Sequence, residues 1–303
     1  MSQPVFFVMP EWQGSASSRA MRLTEGAQLL REDLPTRARI DVPVPLEAGD
    51  ALGTPVARLS SLIHARDSAL TLLAEATGTP IIVGGDCASS LPGLEAAVRR
   101  HGSDNLAVLW FDAHPDLQHP STSPSGAASG MTLRHALGDG SEDLRARNPI
   151  SAERLVLVGT REHDPEETEE LRRLGLSPIG ISVFDALRTE TAAATETAEA
   201  AAGLTALQQL AAVIAERVDG ATHVYVHIDL DVLDPAEFGS VHAPVPFGLL
   251  VAELTGMLRE VLGRVPLAGA SICEFAPTNA ETAGDDLPTV LRILAALTSG
   301  RTA

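Results

Sequence analysis

Seven short apolar runs, at 5–9, 80–84, 106–111, 154–159, 178–181, 223–229 and 267–272, constrain the fold of this chain more than any other feature. Several are almost continuous in Val, Ile and Leu. Side chains that point alternately to either face therefore meet an apolar surface on both, the pattern of strands buried inside a parallel sheet. Longer amphipathic stretches lie between them, at 56–76, 89–100, 165–174, 204–218, 249–262 and 281–297, and read as helices. Strand and helix alternate over the whole length, which predicts a single doubly wound α/β domain over 1–303. No linker divides it. The low-complexity segment 189–202, TETAAATETAEAAA, reads as an exposed helix extension or an insert.

Polar residues collect where the apolar runs end. Asp86 and Cys87 follow IIVGG, and Asp112, His114 and Asp116 follow LAVLWF. Asp229 and Asp231 close HVYVHIDLD, and Glu274 follows ASIC. In an open α/β sheet the carboxyl ends of the strands form the ligand crevice. Residues i, i+2 and i+4 of an extended segment share a face, so Asp112, His114 and Asp116 converge. Asp229 and Asp231 repeat the device from another strand. Without a counter-charge such groups repel one another and are costly to bury, and a divalent cation removes that cost. Four carboxylates and one imidazole exceed the needs of one metal. They suit two ions bridged by carboxylates about 3.5–4 Å apart, an arrangement that activates water.

Composition narrows the chemistry. All 22 basic residues are arginine, against 40 acids, for a net charge of −18. With no lysine, Schiff-base, Walker-type and lysine-base mechanisms are excluded. The acidity argues against nucleic acid or anionic membrane as partners and suits cationic substrates and metals. Two cysteines, Cys87 and Cys273, make no disulfide framework. No apolar stretch has transmembrane length, and MSQPVFFVMPEW lacks a secretion signal, so the expected location is cytoplasmic.

Four segments, GGDCAS (84–89), WFDAHPD (110–116), HIDLDVLDP (227–235) and CEFAP (273–277), resemble in order and spacing the signatures of the ureohydrolase family. That family includes arginase and agmatinase. The resemblance implies a three-layer α/β/α fold around a binuclear manganese centre with a bridging hydroxide. Carried onto this sequence, it makes Asp112 and Asp229 the bridging ligands. His114 and Asp231 would complete one metal and Asp116 the other, with Asp116 also accepting a proton during catalysis. Glu274 matches the glutamate that holds the guanidinium. Asp164 and Glu167, in REHDPEE (161–167), fall where arginases contact the amino end of the substrate. Gln118 and Ser125 fall where they contact its carboxylate, Gln118 standing in for the usual Asn.

Two positions depart from the family pattern. Cys87 stands where the family has a His ligand, and a thiolate is a poor match for manganese. Ser129 stands where arginases carry a His proposed to shuttle protons, and a serine does not titrate near neutrality. His119, His135, His163, His227 and His242 read as surface or packing residues, with His242 and His163 the best spare candidates. The resemblance thus implies hydrolysis of the guanidino group of an arginine-like amino acid. The departures point to Nω-hydroxy-L-arginine, giving L-ornithine and hydroxyurea as in antibiotic biosynthesis, with plain L-arginine next. An agmatinase or other guanidino-acid hydrolase and a non-catalytic metal-binding member are the alternatives. Relatives are commonly trimers or hexamers, so a homo-oligomer is expected.

Overall fold

A computed structural model describes residues 3–192, 208, 210–214 and 216–299. Seven strands form one sheet: β1 (Pro4–Met9), β2 (Arg39–Asp41), β3 (Thr79–Gly84), β4 (Leu106–Phe111), β5 (Leu155–Val158), β6 (His223–Asp229) and β7 (Leu267–Cys273). Their spatial order is β2-β1-β3-β7-β6-β4-β5, and every pairing is parallel. Parallel neighbours need crossover connections, and helices supply them. These are α1 (Met21–Asp33), α2 (Leu59–Glu75), α3 (Leu91–His101), α4 (Thr132–Ala136), α5 (Pro165–Arg173), α6 (Ile181–Ala192), α7 (Val251–Leu262) and α8 (Ala280–Thr298).

The two-residue alternation of β4 shows why three layers form. Ala107, Leu109 and Phe111 point into a core shared with Leu30 of α1, Phe184 of α6, Leu254 of α7 and Val290 of α8. Leu106, Val108 and Trp110 point the other way, onto Leu94 of α3, Leu133 of α4 and Leu171 of α5. Phe7 and Ile82 extend this second face over Ala65, Ala69 and Leu73 of α2. Helices therefore cover both faces of the sheet, as the apolar runs require.

The structure corrects the sequence reading in three places. The run at 178–181 is no strand. Ile179 alone bridges to Val158, and α6 begins at Ile181. Pro178 has no amide to donate, so pairing is confined to Ile179, which donates to Leu157 O (2.8 Å) and accepts from Gly159 N (2.9 Å). The helix expected from residue 56 starts at Leu59, because Arg58 takes a left-handed conformation (φ 56°). The three-residue edge strand β2 carries no apolar run to announce it. Residues 193–202 of the low-complexity segment lie outside the described residues.

The chemistry-bearing strand ends are neighbours. Cys87, Glu274, Asp229 and Asp112 follow or close β3, β7, β6 and β4, which lie side by side. Asp229 pairs with Cys273 and Ile228 with Phe111, so these ends stop at nearly the same level.

Candidate metal centre and active site

Each acidic side chain is aimed by a local backbone bond. Asp112 Oδ1 accepts from His114 N (2.7 Å), and Asp229 Oδ1 accepts from Asp231 N (2.7 Å). Asp231 Oδ1 accepts from Ala113 N (3.0 Å), which ties the β6 end to the β4 end. Trp110 Nε1 donates to Asp112 Oδ2 (3.0 Å). Asp116 and Glu274 both sit at positive φ, 51° and 66°. Non-glycine residues rarely adopt that region, and such strain concentrates at functional sites. Gly85, whose carbonyl accepts from Glu274 N, lets the backbone at Glu11 approach: a Cβ on Gly85 would strike Glu11 O.

Three groups of donors result. One atom from each member of Asp112, His114 and Asp231 lies within 4.8 Å of the others, and the same holds for Cys87, Asp229 and Glu274. A third group joins Cys87, Asp112 and Asp116 to His227. His114 Nδ1 lies 2.9 Å from Asp231 Oδ2 and 3.6 Å from Asp112 Oδ1. Cys87 Sγ donates to Asp229 Oδ2 (3.0 Å).

Burial and mutual repulsion govern the charges. Asp112 is pushed up to about 7 by burial and by Asp231. Burial, then neighbouring acids, raises Asp116, Asp229 and Glu274 well above the ordinary carboxylate range. Burial raises the Cys87 thiol in the same way. Burial alone would lower His114, but its bonds to Asp112 and Asp231 raise it to about 12. Burial would also raise Asp231, and His114 holds it below its usual value instead. Asp116 Oδ2 is buried with no hydrogen-bond partner among the described residues. An orphaned carboxylate oxygen among three other acids is the environment a divalent cation relieves. The donors fit a pair of such ions, one beside His114 and Asp231, the other beside Cys87 and Asp116.

A cavity of about 410 Å³ opens onto these groups. Cys87, His114, Asp116, Asp229, Asp231 and Glu274 line it, together with Gln118, Ser125, Ser129 and Glu167. Of the residues singled out in the sequence, Asp112 is sealed beneath the surface and Asp164 is not in the lining. Asp164 caps α5, accepting from Glu167 N (2.7 Å), while Glu167 Oε2 accepts from Asp164 N (3.1 Å). Glu167 Oε1 also accepts from Leu117 N (3.0 Å), fastening α5 to the β4 loop. Gln118 Nε2 reaches Asp164 Oδ2 (3.3 Å), so Asp164 meets the cavity through Gln118. His242 lines the cavity, with Nδ1 3.4 Å from Ser17 Oγ, whereas His163 is exposed in the segment before α5.

Sequence reading missed the wall formed by Ser15, Ala16 and Ser17. This loop follows β1, so its strand-end position was the available signal. Arg58 holds it, donating to Ser15 O (2.8 Å) and Gln13 O (3.2 Å) while lying over the Trp12 ring (5.1 Å). Arg161 does the same for the loop carrying His242, donating to Asp231 O and Val245 O (both 2.7 Å).

Comparison with known proteins places this geometry. The family model described as the arginase family matches residues 14–297. The chain belongs to the arginase family. Within that family it is 34% identical to an arginase of Bacillus caldovelox over 205 residues, 66% of this chain and 61% of that curated relative's length. In fold it is similar to the Entamoeba histolytica arginase solved with L-ornithine, with TM-score 0.79 and 20% identity over 98% of both chains. The proclavaminate amidino hydrolase of Streptomyces clavuligerus superposes with TM-score 0.70 at 22% identity, over 99% of this chain and 93% of that one.

Proposed function

We propose that the chain hydrolyses the guanidino group of an arginine-like amino acid, with Nω-hydroxy-L-arginine preferred and L-ornithine and hydroxyurea as products. The observation that carries the reading is Glu274 in one cavity with the two donor groups, one of which holds a thiol in place of an imidazole. Two divalent ions, Mn²⁺ foremost, fit the donors. When bound, the pair supplies the nucleophile by lowering the pKa of a water it holds.

The chain's own residues do the rest. Glu274, fixed by its left-handed backbone and by its amide bond to Gly85 O (2.8 Å), presents a buried carboxylate to a planar cation. Such a pair gains from charge-assisted hydrogen bonds that water does not compete for. The buried Asp116 carboxylate, which has two oxygens to divide between ion and proton, is placed to take a proton and return it to the leaving amine. Gln118 and Ser125 line the cavity and suit a carboxylate; Glu167, also in the lining, suits an amino group. Ser129 offers no titratable group where a proton shuttle is expected. A hydroxyguanidine is less basic than guanidine, and its extra oxygen adds a donor toward the Cys87 side.

Steady-state kinetics on L-arginine and Nω-hydroxy-L-arginine test the proposal. A kcat/KM at least about tenfold higher on the hydroxylated substrate is expected. Equal or better turnover of arginine would sink it. A second reading, an agmatinase or guanidino-acid hydrolase, draws on one observation: Asp164 is engaged in capping α5 and lies off the cavity. It gains if Glu167→Gln leaves kcat/KM on the amino-acid substrates unchanged.

A further inference from the structure

His227 stands in β6 two residues before Asp229, so it shares a face with Asp229. It is fully buried. A buried imidazole needs both ring nitrogens satisfied, since an orphan keeps the desolvation cost of burial uncompensated. Nδ1 is satisfied by Ser271 Oγ at 2.9 Å. The ring stacks on Trp110, with centroids 3.6 Å apart and planes at 17°, so it is held rigidly. Nε2 has no hydrogen-bond partner among the described residues. His227 belongs to a group in which one donor atom each from Cys87, Asp112, Asp116 and His227 lies within 4.8 Å of the other three. Asp116, a member of the same group, carries a second orphan, its Oδ2. Two buried, unsatisfied, electron-rich atoms beside a thiol and another carboxylate are explained together if one cation sits among all four.

We propose that His227 Nε2 is a metal ligand, completing a sulfur–nitrogen–two-oxygen site with Cys87, Asp112 and Asp116. The inference rests on the two-metal reading above and deepens it. The imidazole absent at position 87 is supplied from within the sheet, one layer beneath. A modest contraction brings the four donors to the spacing of about 3.3–3.8 Å found around a four-coordinate ion. With Nε2 on the ion, Nδ1 carries the ring proton and donates it to Ser271 Oγ, 2.9 Å away. Cys87 loses its thiol proton to solvent on binding. A thiolate and an imidazole favour a borderline-soft ion such as Zn²⁺ or Co²⁺, whereas the group of His114, Asp231 and the shared Asp112 stays oxygen-rich and suits Mn²⁺. The two positions are therefore chemically unequal.

Titration of the metal-free full chain with Co²⁺ tests this. The wild type should bind two ions and show a thiolate-to-cobalt charge-transfer band. His227→Ala, folded by circular dichroism, should bind one ion and lack the band. The double variant Cys87→His/His227→Ala should recover the second ion, which a merely structural histidine would not allow. Two ions and an undiminished band in His227→Ala overturn the inference and leave the two-metal reading standing. A wild type that takes up no Co²⁺ overturns both. Should His227→Ala not fold, ring ¹⁵N spectra of the wild type with Zn²⁺ decide. Shifts in both His114 and His227 are expected, and a shift confined to His114 overturns the inference.

Discussion

Cys87 is the residue on which the most turns. It is buried after β3, donates to Asp229 Oδ2, and burial keeps its thiol protonated until a cation competes. Manganese prefers oxygen and nitrogen donors, so the thiol should weaken its hold on that ion. Cys87→His offers an imidazole in the same place, and the side chain has the cavity to grow into. We expect the variant to keep close to about two manganese ions per chain after desalting, against nearer one for the wild type. Metal analysis of the two proteins side by side checks it. Unchanged manganese in Cys87→His would mean that position 87 does not touch the ion.

At the scale of elements, α5 links stability to the substrate wall. Its capping box satisfies Glu167 N and Asp164 N, and the same two side chains hold Leu117 N and Gln118. Asp164→Ala removes the cap and should cost about 1 kcal/mol in denaturant unfolding. It also releases Gln118, so KM for an amino-acid substrate should rise while kcat changes little; a KM that stays put would leave Asp164 with capping alone. Elements also decide what was legible beforehand. Strands apolar on both faces, such as β3 and β4, can be read from the chain because burial dictates every position. The Asp112–Asp116 and Asp229–Asp231 clusters can be read from their place at strand ends, although turns after β4 and β6, not a strand's period of two, bring the charges together. His227 keeps that period but looks like one more strand residue; only Ser271, Trp110 and Cys87, from other strands or a loop, give its ring a meaning. The 13–17 wall was hidden for the same reason, since Arg58, far along the chain, holds it in place. Ile179 shows the opposite error, an apolar run that pairs at a single residue.

For the whole molecule the acidic centre sets a pH dependence that bound metal offsets. In the metal-free protein, Asp112 titrates near 7, and Asp116, Asp229 and Glu274 are raised well above their ordinary values. The folded state then binds more protons than the unfolded state between about pH 4 and about pH 7, so stability falls as pH rises through that window. The loss should be on the order of a few kcal/mol. His114, raised to about 12, adds stability that is present below about 6.5 and fades only at higher pH. Asp231 is the exception: its depressed pKa gives stability that is lost as pH falls below the ordinary carboxylate value. Cations act against the main trend. Their ligands must be deprotonated, so affinity, and with it the stabilisation by mass action, grows with pH. The gap in Tm between metal-loaded and chelated protein should therefore widen from about pH 5 to about pH 8, the chelated protein falling while the loaded one holds. Calorimetry at both pH values, with and without chelator, measures this directly. A chelated protein as stable at the higher pH as at the lower would mean that the buried carboxylates are balanced by something other than a metal.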